Sequence, residues 1–122
     1  MRKALVLVVV ALLFGGMAYA ETVTWTNPTV YTDNQVIPPA KAAQLSTEIQ
    51  YKTTGSYLTF GIATGGATTF SSSYVTQPGA TSTWRARSIS VLDNNATSVW
   101  SGEVSFTRPF QTPAPGVILD VR

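Results

Sequence analysis

Val23 and Trp25 alternate with Thr22, Thr24 and Thr26, and the same two-residue period returns where Thr47, Ile49 and Tyr51 alternate with Glu48, Gln50 and Lys52. Leu58, Phe60 and Ile62 alternate with Tyr57, Thr59 and Gly61, and Trp84, Ala86 and Ser88 with Arg85 and Arg87. Near the end, Trp100, Gly102, Val104 and Phe106 alternate with Ser101, Glu103 and Ser105. Successive side chains of a strand point to opposite faces, so this period puts one face in a core and the other in water, as antiparallel sheets do. Turn signals punctuate the runs: Thr32-Asp33-Asn34, Thr54-Gly55-Ser56, Thr64-Gly65-Gly66, Gln77-Pro78-Gly79 and Asp93-Asn94-Asn95. Short strands so spaced predict an all-β antiparallel sandwich. The helix-compatible stretch from Pro39 to Gln44 is long enough for a single turn with proline at its first position.

The front of the chain breaks the alternation. Arg2 and Lys3 precede an unbroken apolar run from Ala4 to Phe14, then Gly15-Gly16, then Ala18-Tyr19-Ala20 before Glu21. A basic start, a short apolar run and a small-x-small triplet describe a cleavable signal peptide over residues 1–20, and the run is shorter than the ~20 residues of a membrane helix. An uncleaved anchor is the alternative. Export to the extracellular space or the periplasm is therefore expected, with no membrane association after cleavage.

Removing the leader changes the charge balance. The whole chain carries 8 Lys+Arg against 6 Asp+Glu; without Arg2 and Lys3 the two signs are equal, so no basic platform for nucleic acid is expected. There is no cysteine, which excludes a lipoprotein anchor and disulfide staples, so the core must hold by burial alone. Trp25, Tyr51, Phe60, Phe70, Trp84 and their fellow aromatics supply that core, each burying on the order of 150–250 Å².

Several stretches, taken in order, resemble a fibronectin type III domain. Val23-Thr24-Trp25-Thr26-Asn27-Pro28 resembles its second strand, Ile49-Gln50-Tyr51 its third, Gln77-Pro78-Gly79 the turn before its sixth, and Trp84-Arg85-Ala86-Arg87-Ser88 that sixth strand. Ser98 to Phe106 resembles the closing strand, and with Tyr31-Thr32-Asp33-Asn34 the pattern is similar to small exported proteins of this type from bacteria and their phages. The resemblance implies an immunoglobulin-like sandwich over residues 21–107, behind the signal peptide.

Two departures from that family stand out. Where it usually carries a corner tyrosine, this chain has Ser82. Its first strand is also missing from the front, while Pro113-Ala114-Pro115 followed by Val117, Leu119 and Val121 looks like that strand's usual lead-in and alternation. Residues 108–116 then read as a proline-rich linker and 117–122 as a displaced first strand. Without a first strand, the strand of Val23 and Trp25 has an open edge. The tail can cover it within its own chain, be donated to a neighbour so that a filament grows, or fray.

Candidate chemistry is sparse. With no histidine and no cysteine, His-based triads, thiol nucleophiles and the usual zinc, copper and haem ligands are excluded, and neither a cofactor nor a metal is expected. Glu48 and Glu103 fall on outward positions beside Arg85 and Arg87, either a face for a charged partner or a ladder of surface ion pairs. Asp33-Asn34 and Asp93-Asn94-Asn95 are oxygen-rich, but calcium needs six to eight oxygens and Asx residues make turns for local reasons. The loop end with Tyr31, Asp33 and Asn95, the outward Tyr57, and Arg85 with Arg87 are the candidate partner-binding residues. A non-catalytic binding or adhesion module for a protein, cell-surface or glycan ligand is the leading expectation. A homo-oligomeric subunit polymerising by C-terminal strand donation and a carbohydrate-binding module using Tyr57 are the alternatives.

Overall fold

The computed structural model describes residues 13–14 and 20–110. Their strands are β1 (Leu13–Phe14), β2 (Ala20–Thr24), β3 (Leu45–Lys52), β4 (Leu58–Ala63), β5 (Thr69–Ser73), β6 (Thr81–Ser90), β7 (Ala96–Thr97) and β8 (Val104–Thr107), with one helical turn, α1 (Pro39–Ala42). They form two antiparallel sheets, β1-β2-β5 and β4-β3-β6-β7, with β8 also on β6. α1 has proline within its first two positions, as expected of so short a turn.

The core lies between the sheets. Val23 and Trp25 from one meet Ile49, Trp84 and Ala86 from the other, with Phe60, Phe70, Tyr51, Val104 and Phe106 packed around them. Trp84 is wholly buried and lies 4.8 Å from the Phe60 ring, edge to face. Such pairs add about 0.5–1.5 kcal/mol beyond the area they bury. Both indole N–H groups are satisfied: Trp84 donates to Ser82 Oγ at 2.7 Å, and Trp25 to Asn27 Oδ1 at 2.9 Å. Ser82, which stands where the resembling family usually has its corner tyrosine, accepts from the core tryptophan.

Two alternations are corrected. In β4 the register shifts between Ile49 and Gln50, because Ile49 faces Gly61 while Gln50 faces Thr59. Phe60 is the extra residue of this bulge. It turns inward, Ile62 is carried outward beside Glu48, and Leu58 and Ile62 stay exposed. Gly61 leaves room at the bulge for the Phe70 ring, which a Cβ there would force to shift.

The closing strand is also interrupted. β7 and β8 flank residues 98–103, where serines stand in for the ladder: Ser98 Oγ accepts from Ser88 N–H and Ser101 Oγ from Ala86 N–H, both at 2.9 Å. The backbone N–H groups of Ser98 and Ser101 donate to the carbonyls of Ser88 and Ala86. This detour swings Trp100 out of the core face on which its alternation had placed it.

The edge of β2 expected to be open carries a partner. Leu13 pairs with Thr24 and Phe14 with Val23, antiparallel, on the side of β2 opposite β5. These two residues belong to the stretch read as leader. The proposed first-strand segment, residues 117–122, and most of the linker lie outside the described residues.

Candidate binding surface

The outward face of the larger sheet gathers the charged and aromatic side chains. β3 contributes Glu48, Gln50 and Lys52; β6 contributes Arg85 and Arg87; Tyr57 precedes β4; Trp100 and Glu103 come from the interrupted closing strand. The register sets Glu48 opposite Arg87 and Gln50 opposite Arg85. Arg87 Nε donates to Glu48 Oε1 at 2.8 Å, while Arg85 reaches Gln50 Oε1 through Nε at 3.0 Å and Nη2 at 2.8 Å.

Aromatic rings space these cations. The Arg85 guanidinium lies 3.8 Å from the Tyr57 ring centre and 4.1 Å from that of Trp100, and Arg87 lies 4.4 Å from Trp100. Tyr57, Arg85, Trp100 and Arg87 are therefore a continuous ladder of rings and guanidinium groups, each contact worth about 0.5–1 kcal/mol at an exposed site. Lys52 closes one end, 4.7 Å from the Tyr57 ring and 3.6 Å from Glu103. The Tyr57 hydroxyl donates to Glu103. Desolvation and that carboxylate push the Tyr57 hydroxyl up to about 12, and the same hydrogen bond, aided by Lys52 and Arg85, holds Glu103 below its ordinary value.

Sequence reasoning named Tyr57, Arg85 and Arg87 as candidates, and the structure brings their side chains together around Trp100. It missed Trp100 and Gln50. Ser98 and Ser101, three residues apart around Trp100, are the signal that a strand is being interrupted there. Glu103 was placed beside the arginines but pairs chiefly with Lys52 and Tyr57, leaving Arg85 with a neutral acceptor in Gln50. The ring faces of Tyr57 are approached by Arg85 and Lys52, so a sugar stacking on it would have to displace a cation.

The loop end is built differently from the expectation. Tyr31 is buried, not displayed: it packs with Ile37 and Leu45 in a second small cluster. Its hydroxyl donates to Asp93 Oδ2 at 2.6 Å, which also accepts from Ser90 Oγ at 2.7 Å, while Lys41 binds Asp93 Oδ1. Three donors hold the Asp93 carboxyl down at about 2; burial and this carboxylate push the Tyr31 hydroxyl up to about 12. Asp33 and Asn95 are exposed. Asp33 Oδ1 accepts from Gln35 N–H at 3.1 Å, and Asn34, Asn94 and Asn95 take positive φ, so these polar residues are making turns. Among the described residues, no three of His, Cys, Asp or Glu cluster as a metal site, and no helix is long and apolar enough to cross a membrane.

Strand order and sandwich geometry define the fold: an immunoglobulin-like sandwich of fibronectin type III type. Solved structures agree. A fibronectin type III domain of the human KIAA0970 protein superposes with a TM-score of 0.63 at 14% identity, over 99% of this chain and 85% of that one. The sixth such domain of human fibronectin type III domain containing protein 3 gives 0.54 at 17%, over 94% and 91%. The pectate lyase PelI of Erwinia chrysanthemi, solved with tetragalacturonic acid, gives 0.50 at 16%, but over 86% of this chain and only 28% of the enzyme. At these identities the likeness is one of fold. No protein-family model and no curated protein sequence matches the chain.

Proposed function

We propose that this chain is an exported, non-catalytic binding module that engages an acidic partner, a protein or a surface glycan, through the ladder on its larger sheet. Arg85 is the observation that carries the reading. Two rings fix its guanidinium and Gln50 accepts from it without neutralising it, so its charge is pre-organised and little side-chain entropy is lost on binding. Fibronectin type III domains, which this fold matches, are generally non-catalytic binding or structural modules. The carboxylates nearby are tied to cations and hydroxyls, and Glu103 and Asp93 are held in the charged form rather than raised toward the neutrality a general acid needs.

A carboxylate-bearing partner would bind by charge and hydrogen bonding rather than by ring stacking. Binding of the processed chain to an acidic peptide library and to immobilised polygalacturonate, against neutral polymers, tests this. Retention of an acidic probe that weakens with salt and falls at least about tenfold in Arg85→Gln supports the proposal. Equal retention by Arg85→Gln, or no acidic probe retained at low salt, overturns it.

A further inference from the structure

β2 has β5 on one side and only a two-residue strand on the other. Leu13–Phe14 pairs there antiparallel, so the edge accepts an extended apolar segment, and the pairing sense is visible. If the leader is removed before Glu21, the segment leaves and β2 is bare on that side. An edge strand with unpaired backbone groups is a template for another strand. Glu21, at the head of β2 and on its inward face with Val23 and Trp25, is buried beside the Val75 backbone.

The position of the chain's exit then selects an occupant. Ala20 pairs with Ser73 at the end of β5, and Thr107, at the end of β8, pairs with Thr81 at the start of β6. The loop from Ser73 to Thr81 joins these ends, and Arg108 donates to Thr76 O within it. The chain thus leaves the sandwich at the end where β2 begins. To lie antiparallel on its own β2, the tail must first travel back along that strand, about 17 Å, and across the roughly 10 Å between sheets, about 20 Å in all. Residues 111–116, with two prolines, span about 19 Å at full extension. A neighbour's tail faces no such return, because it continues in the direction in which β8 already runs.

We propose that the side of β2 opposite β5 is a strand-acceptor edge, filled by Leu13–Phe14 while the leader is attached and, after its removal, by Val117–Val121 of a second copy of this chain. Val117, Leu119 and Val121 supply the inward face, while Ile118 and Asp120 face outward beside Thr22 and Thr24. The contact is head-to-tail and does not close on itself, so it generates linear oligomers. The leader keeps the chain monomeric until processing.

The natural absence of cysteine makes the test direct. Two processed chains are prepared, one with Thr24→Cys and one with Asp120→Cys or Ile118→Cys, mixed and oxidised, and the mass of uncrosslinked chain is followed by light scattering with concentration. The expected result is a disulfide between the two different chains, oligomers growing with concentration, loss of both in Leu119→Asp, and a monomer when residues 1–20 are retained. A third processed chain carries both Thr24→Cys and Asp120→Cys: if it stays monomeric and crosslinks within itself, the proposal is overturned in favour of self-packing, and a monomer without crosslinks overturns it outright. Mass analysis of the exported protein separates the two layers: an uncleaved leader sinks the export reading, whereas a cleaved monomer sinks only the acceptor edge.

Discussion

The Tyr31 hydroxyl reaches the Asp93 carboxylate at 2.6 Å across 62 residues of sequence, tying the loop after β2 to the turn after β6. Ser90 and Lys41 complete the shell around that carboxylate. Each is a charge-assisted hydrogen bond, worth about 1.5–3 kcal/mol. Tyr31→Phe is expected to cost about 1–3 kcal/mol, and Asp93→Ala more, because it orphans several donors at once. Urea melts of the two variants check this. The pH dependence follows from the same pair. Asp93 falls from an ordinary 3.8 to about 2, so its contribution is complete above 3.8 and is lost as pH drops from there toward 2. Tyr31 rises from 10.0 to about 12, so its contribution is complete below 10 and is lost as pH climbs to 12.

Glu21 acts in the opposite sense. Its pKa is raised by burial, with the Val75 backbone and Arg108 only partly opposing the shift. A carboxyl that prefers its proton when folded makes stability fall as pH rises from its unfolded value, near 4.5, through the higher folded one. Glu21→Gln is expected to stabilise the chain at neutral pH and to flatten that part of the stability curve. A neutral-pH melting temperature at or below that of the parent would contradict it.

At the bulge, Gly61→Ala is expected to destabilise by about 1–3 kcal/mol, because the new methyl meets the Phe70 ring that fills the space beside the backbone. Pairing it with Phe70→Leu should recover part of the loss, and a double-mutant cycle in denaturant reads the coupling.

Ser98→Ala removes the acceptor of the buried Ser88 N–H. The expected cost is about 1–3 kcal/mol, with faster amide exchange at Ser88 and weakened stacking of Trp100, visible in near-ultraviolet circular dichroism. Ser98→Thr, which keeps the hydroxyl, should retain most of the parent behaviour.

Much of this architecture was written in the period of the sequence. β2, β3 and β6 lie where Val23-Trp25, Ile49-Tyr51 and Trp84-Ala86 alternate, and the Gln77-Pro78-Gly79 turn closes with Ala80 N–H on Gln77 O. Period alone could not show that two residues of β4 face one of β3, so Ile62 was put on the wrong face. Nor could it show the strand break that delivers Trp100 to Arg85 and Arg87, because a regular alternation runs straight through Ser98 to Phe106. Tyr31 looked like a displayed loop residue since its partner, Asp93, is distant in sequence and only the fold unites them. The candidate surface was legible in its cations and Tyr57, and illegible where long-range contacts choose the orientation of a ring.

Hydrogen exchange over residues 22–25 of β2, compared between the chain retaining residues 1–20 and the processed chain held monomeric by Leu119→Asp, tests the strand-acceptor edge most directly. Exchange in that stretch is expected to quicken when residues 1–20 are absent, while β3 and β6 stay as protected as before. Unchanged protection of β2 in the processed monomer would mean that something else already covers this edge, and would contradict it.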